Sequence, residues 1–272
     1  MPGGTVSCRR DRYSPWSCPL KHPLAISTPS VKFPVTICVV AYGDNVPLAE
    51  RFLSSLYRHT APELFRLRAG LNEVAPETHA LFLEYQQRFA NASLYVEPKN
   101  RFKSPLMRRL FREPWVSTEW TIWCDDDTHF RKPDWLQRLA LRIESAPQVT
   151  MWGMQHLLWQ NDPEVLRWIQ TAKWYRGIPF QSGTDLSGKH STEFRFACGG
   201  FWAARTAALR ALDWPDPRLV HANEDFILGE ALRQNGMQLA EFHYGLNIND
   251  ALRRNDDAPE VVSLIHSNPS AS

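Results

Sequence analysis

The chain is 272 residues long, 43% hydrophobic and 22% charged, the make-up of ordinary globular material and enough for one large domain. Its 31 basic and 29 acidic side chains leave a formal charge of +2, so bulk charge gives no reason to bind nucleic acid or an anionic membrane. Five cysteines, Cys8, Cys18, Cys38, Cys124 and Cys198, show no CxxC pairing; they support neither a disulfide framework nor a structural zinc site and fit a reducing compartment.

Residues 1–33 carry Pro2, Pro15, Pro19, Pro23 and Pro29 among polar groups without periodicity, which predicts an irregular arm. The arm lacks the apolar core of a signal peptide, and no run in the chain approaches the ~18 apolar residues of a membrane span. A cytoplasmic protein is expected. The domain proper is expected over residues 34–250, with a tail over 251–272.

"VTICVVAY" (35–42) is a continuous β-branched run of the kind buried on both faces of a parallel sheet. "NVPLAERFLSSLYRH" follows as an amphipathic helix with Leu48, Phe52 and Leu56 at helical spacing. The alternation continues through a strand at 64–71, a helix at 76–89 opened by Pro76, a strand at 92–98, a short helix near 105–113 and a strand at 120–124. Four strands separated by three helices predict a single α/β domain with a mainly parallel central sheet flanked by helices. Ligands of such sheets sit at the carboxyl ends of the strands.

At that end of the fourth strand stands "CDDD". Asp125, Asp126 and Asp127 repel one another, and burial would disfavour their ionised forms further, so a nearby cation is the leading way to offset the cost. Turn and cap chemistry also uses Asp, but Asp134 is better placed to cap the next helix. Carboxylates at D-x-D spacing, Asp125 and Asp127, suit a hard divalent ion that bridges phosphate oxygens.

Downstream, a helix is predicted at 132–143, a strand at 149–153, a helix at 162–176 and a loop at 177–193. "FACGGFWAAR" places Gly199 and Gly200 before an apolar stretch, where they permit a tight turn or close backbone approach. "HANEDFILGEALRQNG" predicts a helix with Glu224 and Asp225 in its first turn and Gly236 just past its end. Acids there also complement the helix dipole, worth ~0.3–1 kcal/mol without any catalysis. In "KNRFKSPLMRR", Arg101 and Lys103 can reach the same crevice and meet diphosphate charge, or form a solvated run. Among the histidines, His243 at the end of a predicted strand is the first choice for a third metal ligand, ahead of His221 and His266. Trp152, Trp159, Trp168 and Trp174 can stack on a sugar face, although most tryptophans are expected in the core.

Taken in order, "VTICVVAYGDN", "CDDD", "CGGFWAAR" and "NEDF" resemble the nucleotide-binding strand, D-x-D, Gly-Gly and E-D motifs of GT-A (Rossmann-like) glycosyltransferases, most closely the inverting family 2, over residues 34–245. The resemblance implies transfer of a sugar from a UDP- or GDP-sugar to an acceptor hydroxyl with Mn²⁺ or Mg²⁺. It implies that Val40, Ala41 and Tyr42 contact the nucleotide, with Asn72 and Glu73 where the family carries acids. It implies Asp125 and Asp126 on the donor side, Asp127 on the metal, Gly199, Gly200, Phe201 and Trp202 on the acceptor side, and Asp225 as base with Glu224 supporting it. "GLNEV" departs from the family's acidic second-strand motif. Two rivals remain: a nucleotidylyltransferase, for which "AYGDNVP" supplies only one glycine to a phosphate loop, and an inactive carbohydrate-binding module of the same fold.

Overall fold

The computed structural model describes residues 32–184, 187–220 and 223–247. Nearly all of the arm, the tail, Cys8, Cys18, His221 and His266 lie outside the described residues. The elements follow as β1 (Val35–Gly43), α1 (Val46–His59), β2 (Phe65–Val74), α2 (Pro76–Arg88), β3 (Ala92–Glu97), α3 (Lys103–Arg112), β4 (Trp120–Asp125), β5 (His129–Phe130) and α4 (Trp135–Ser145). The second half comprises β6 (Val149–Gln160), α5 (Pro163–Gln170), β7 (Ser182–Thr184), β8 (His190–Arg205), α6 (Thr206–Ala211), α7 (Glu224–Gln234), β9 (Gln238–Glu241) and β10 (Leu246–Asn247).

The main sheet runs β3-β2-β1-β4-β8-β6-β9. The pairs β3–β2, β2–β1, β1–β4 and β6–β9 are parallel, while β8 pairs antiparallel with both β4 and β6, so along that path β8 alone runs against the rest. β7 adds to β8, and β10 returns to pair with β5, just beyond the triplet. This is the mainly parallel, helix-flanked α/β sheet expected.

The two-residue period of the strands sorts side chains into two cores. On one face Val35, Ile37, Val39 and Ala41 of β1 pack with Phe52 and Leu56 of α1, Phe82 of α2 and Trp135 and Leu139 of α4. On the other, Cys38 and Trp123 pack with Met107, Leu110 and Phe111 of α3 and Phe226, Ile227 and Leu232 of α7. Among the described residues no helix is long and apolar enough to cross a membrane.

The second half departs from its sequence reading in several places. β6 extends to Gln160, well past residue 153, because its distal part finds a partner in the first half of β8. α5 stops at Gln170, and the expected loop at 177–193 contributes β7 and the start of β8. Gly199 and Gly200 lie inside β8 and make no tight turn. Gly153 pairs with Trp202 and Gln155 with Ala197, so three extra residues of β8 bulge out between these pairs, carrying the two glycines toward α7. Asp134 sits at the N-cap of α4 without capping it; its carboxylate accepts from Arg138 and from the Tyr244 hydroxyl. Trp152 and Trp174 are buried, which removes them as sugar platforms, and Trp168 lies under Arg218.

One glycine sets the seat of α7. A Cβ on Gly229 would lie 2.1 Å from the Arg195 carbonyl oxygen and 2.8 Å from the Phe196 Cβ, so the helix rests directly on the backbone of β8. Gly229→Ala is therefore expected to lower the free energy of unfolding in urea by about 1–3 kcal/mol through overpacking. That loss would appear in spite of alanine's intrinsic helix advantage of about 1 kcal/mol.

Candidate functional site

β1, β2, β3 and β4 all end on one edge of the sheet, and α3 and α7 begin there. Trp123 and Asp125 are two residues apart on β4 and so share the face that α3 and α7 cover. The Trp123 indole N–H donates to Asp125 Oδ1 at 3.1 Å, and the ring stacks on its cross-strand partner Trp202. Lys103, the first residue of α3, places its Nζ 2.9 Å from Asp125 Oδ1 and 2.9 Å from Glu224 Oε1. A single ammonium thus ties the end of β4 to the start of α7. The Ser104 N–H donates to the Val220 carbonyl at 3.3 Å, which ties the start of α3 to the segment before α7.

Lys103 and Glu224 each follow a residue with positive φ. Phe102 has φ +63° and Asn223 has φ +68°. Asparagine tolerates that region; phenylalanine does so only when its surroundings over-determine it. Asn100 supplies the restraint by accepting the Phe102 N–H at 2.7 Å. Asn72 in turn donates to Asn100 at 2.9 Å and accepts the Arg101 N–H at 2.8 Å. Asn72 is buried, and its amide fastens the post-β3 loop to β2.

Asp225 follows Glu224 in the first turn of α7 and faces the bulge of β8. A Cβ on Gly199 would fall 2.5 Å from Asp225 Oδ2, so the carboxyl occupies the space a side chain would need, and the Gly199 N–H donates to it. Burial pushes the Asp225 carboxyl up to about 8 against an ordinary 3.8; Glu224 and Asp125 push the same way, while Lys103 and the Gly199 N–H resist. Burial would also lower Lys103, but Asp125, Glu224 and Asp225 outweigh it and hold the ammonium well above its usual range.

The backbone after Asp125 is anchored to α1. Asp126 and Asp127 are buried, and the Asp127 carbonyl accepts from Arg51 of α1 at 2.7 Å. The Thr128 hydroxyl donates to the Gly200 carbonyl, and the Phe130 N–H donates to the Ser55 hydroxyl at 3.1 Å. Arg51, 1% exposed, escaped the sequence reading. The signal was its spacing: three after Leu48 and four before Ser55, it falls on the inward face of the helix.

The structure brings together Lys103, Asp125, Glu224, Asp225 and Gly199. Val40 pairs with Gly70 and Asp125, Ala41 is buried, and Tyr42 is exposed at the edge with Glu73. Arg101 points away, its side chain 69% exposed beside Glu97. Phe201 and Trp202, expected on the acceptor side, are core: Phe201 packs on Trp135 and Trp202 on Trp123. Only the backbone of that segment faces the site. His243 pairs with Glu241 at 2.7 Å. Among the described residues no three His, Cys, Asp or Glu side chains gather as a metal cage. His243 is kept from the triplet by topology: β8 and β6 separate β9 from β4, three spacings of ~4.8 Å.

The donor chemistry at Asp125 nevertheless suits a cation, since hard carboxylate oxygens already hold the Lys103 ammonium there as a stand-in. A divalent ion shared with substrate phosphates needs only one or two carboxylates from the protein.

With this geometry, the fold is similar to that of TarS from S. aureus, at 14% identity and a TM-score of 0.51 over 80% of this chain and 37% of that one. Residues 1–349 of TarS in complex with UDP match at 14% identity and a TM-score of 0.51 over 77% of this chain and 57% of that one. The mannosyltransferase PcManGT from Pyrobaculum calidifontis, in complex with GDP-Man and Mn²⁺, matches at 16% identity and a TM-score of 0.46 over 71% of this chain and 50% of that one. The chain spans about half the length of these structures. No family model matches the sequence, and no curated protein does. The chain has a GT-A-like fold, as its motifs implied, and the likeness to these structures is one of fold.

The burial of Asp225 has a sign. Its carboxyl is raised in the folded chain, so folding binds a proton between pH 3.8 and about 8 and stability declines as pH rises through that window. In denaturant titrations from about pH 5 to about pH 9, Asp225→Asn is expected to lose this component, each pH unit being worth up to about 1.4 kcal/mol. The same pH profile in variant and wild type would contradict the buried assignment.

Proposed function

We propose that this chain is a metal-dependent, inverting glycosyltransferase of the family 2 kind. It would move a sugar from a nucleoside-diphosphate sugar to an acceptor hydroxyl, with Asp225 as general base. The observation that carries the reading is the seat of Asp225: a carboxyl pressed against the Gly199 backbone and raised by desolvation, next to Glu224, which Lys103 joins to the D-x-D aspartate. A carboxylate kept from ionising easily is a stronger base once ionised, which suits proton abstraction near neutral pH.

In the reaction, the acceptor hydroxyl lies against Asp225 and gives up its proton as its oxygen attacks the anomeric carbon. The bond from that carbon to the diphosphate oxygen breaks, and the nucleoside diphosphate leaves with the electron pair. Glu224 orients the acceptor or holds Lys103. Asp125 and Asp127 would hold Mn²⁺ or Mg²⁺, whose chemistry is to stabilise charge on the departing diphosphate. Val40, Ala41 and Tyr42 line the nucleotide side. UDP bound to TarS, on the same fold, supports a uridine or similar nucleotide. The inactive-module reading loses support because Trp152 and Trp174 are buried.

Two measurements test the assignment. Asp225→Asn is expected to leave donor affinity near wild type while reducing transfer by ~10²–10⁴-fold, the usual contribution of a positioned proton acceptor. Near-wild-type transfer would remove Asp225 from the chemistry. Asp127→Asn, which keeps shape but removes a charged ligand, is expected to weaken Mn²⁺-dependent donor binding in calorimetry while the thermal melt stays intact. Unchanged metal-dependent affinity would remove the triplet from that role.

A further inference from the structure

We propose that Lys103 is a tethered counter-cation that keeps divalent metal off the site until a nucleoside diphosphate arrives. The inference rests on the glycosyltransferase reading for the identity of that ligand, although its metal arm stands apart from it.

The observation is where the ammonium sits. Lys103 Nζ lies 2.9 Å from Asp125 Oδ1 and 2.9 Å from Glu224 Oε1, with its side chain 21% exposed, and 5.6 Å from the centre of the Trp123 ring. It therefore occupies an oxygen of the D-x-D aspartate and offsets one of the two negative charges facing one another across the crevice. A divalent ion approaching Asp125 meets a fixed positive charge at contact distance as well as a carboxylate that is already paired. Like-charge repulsion at that range in a partly buried site weakens the attraction that remains.

Lysine suits a removable counter-ion. Its charge is compact, its three donors rotate, and its four-carbon stem carries it between acceptors without moving α3. A planar guanidinium, locked bidentate to one carboxylate, would not shift so readily. A nucleoside diphosphate brings several negative oxygens to the same edge and gives the ammonium an alternative partner. When Lys103 turns to the phosphates, Asp125 becomes available to a cation, and Glu224 is released on the acceptor side. Metal and nucleotide then bind as a pair, each favouring the other.

The test is calorimetric titration of the full chain with Mn²⁺ alone and with UDP in the presence of Mn²⁺. Wild type is compared with Lys103→Met, and with Lys103→Gln, which still donates a hydrogen bond but carries no charge. A thermal melt establishes that each variant is folded. Affinity for Mn²⁺ alone is expected to rise by about tenfold or more in both neutral variants, while affinity for UDP with Mn²⁺ falls by about ten- to hundredfold, as loss of a charged hydrogen bond predicts. The opposite directions are the signature, since a merely structural lysine would weaken both or neither. Mn²⁺ binding alone that is no tighter in the folded variants overturns the proposal, and so does UDP binding that is no weaker. If folded wild type binds neither UDP nor GDP, the nucleotide-sugar reading fails, and the Mn²⁺ titration still decides the role of Lys103.

Discussion

Asp125, Glu224 and Asp225 come from parts of the chain about a hundred residues apart and converge at the carboxyl edge of the sheet, where their charges oppose assembly. One ammonium makes the arrangement tenable. Lys103 contacts two of the three at 2.9 Å, and its attraction to all three outweighs its own cost of burial. A partly buried ion pair is a weak source of net stability, because desolvation cancels much of the Coulomb gain. Its effect here is positional: it fixes the start of α3 against both the end of β4 and the start of α7.

The same convergence demands close backbone contact, and glycine provides it twice. Gly229 lets α7 lie on the backbone of β8, while Gly199, in the bulge of β8, leaves room for the Asp225 carboxyl. β8 is the reversed strand of the path, joined to β4 on one side and β6 on the other. Its bulge therefore sits beside the triplet, and the Thr128 hydroxyl reaches across to the Gly200 carbonyl. Helix seat, bulge and acidic turn form one mechanical unit in which a shift of any part displaces the others.

Much of this was legible in the sequence where signals are local. β1 and β4 are apolar runs buried on both faces, β2 alternates apolar residues with Arg66 and Arg68, and their alternation with amphipathic helices specified the parallel half of the sheet. The rule that ligands sit at the carboxyl ends of the strands put the triplet on that edge, while the E-D pair joined it only through the family resemblance. What escaped depends on contacts distant in sequence. Arg51 is charged, and nothing near it announces a partner 76 residues away. Phe201 and Trp202 follow the glycines, but strand alternation and the cross-strand Trp123 turn both rings into the core. β8 was unreadable as one strand because Gly199 and Gly200 look like a turn until β6 and β4 pair on either side. His243 was misplaced for a related reason: sequence order does not show that β9 lies beyond β6.

Trp123 has a consequence of a different kind. Its indole N–H is bonded to Asp125, its ring lies near the Lys103 ammonium, and its other face stacks on Trp202. An indole's excited state carries a large dipole, so its emission colour follows the charges around it. This ring touches both members of the ion pair at the centre of the crevice and is coupled to a second indole. The chain thus contains an optical reporter in its most charge-dense region, and rearrangement among those charges becomes visible as light without any label.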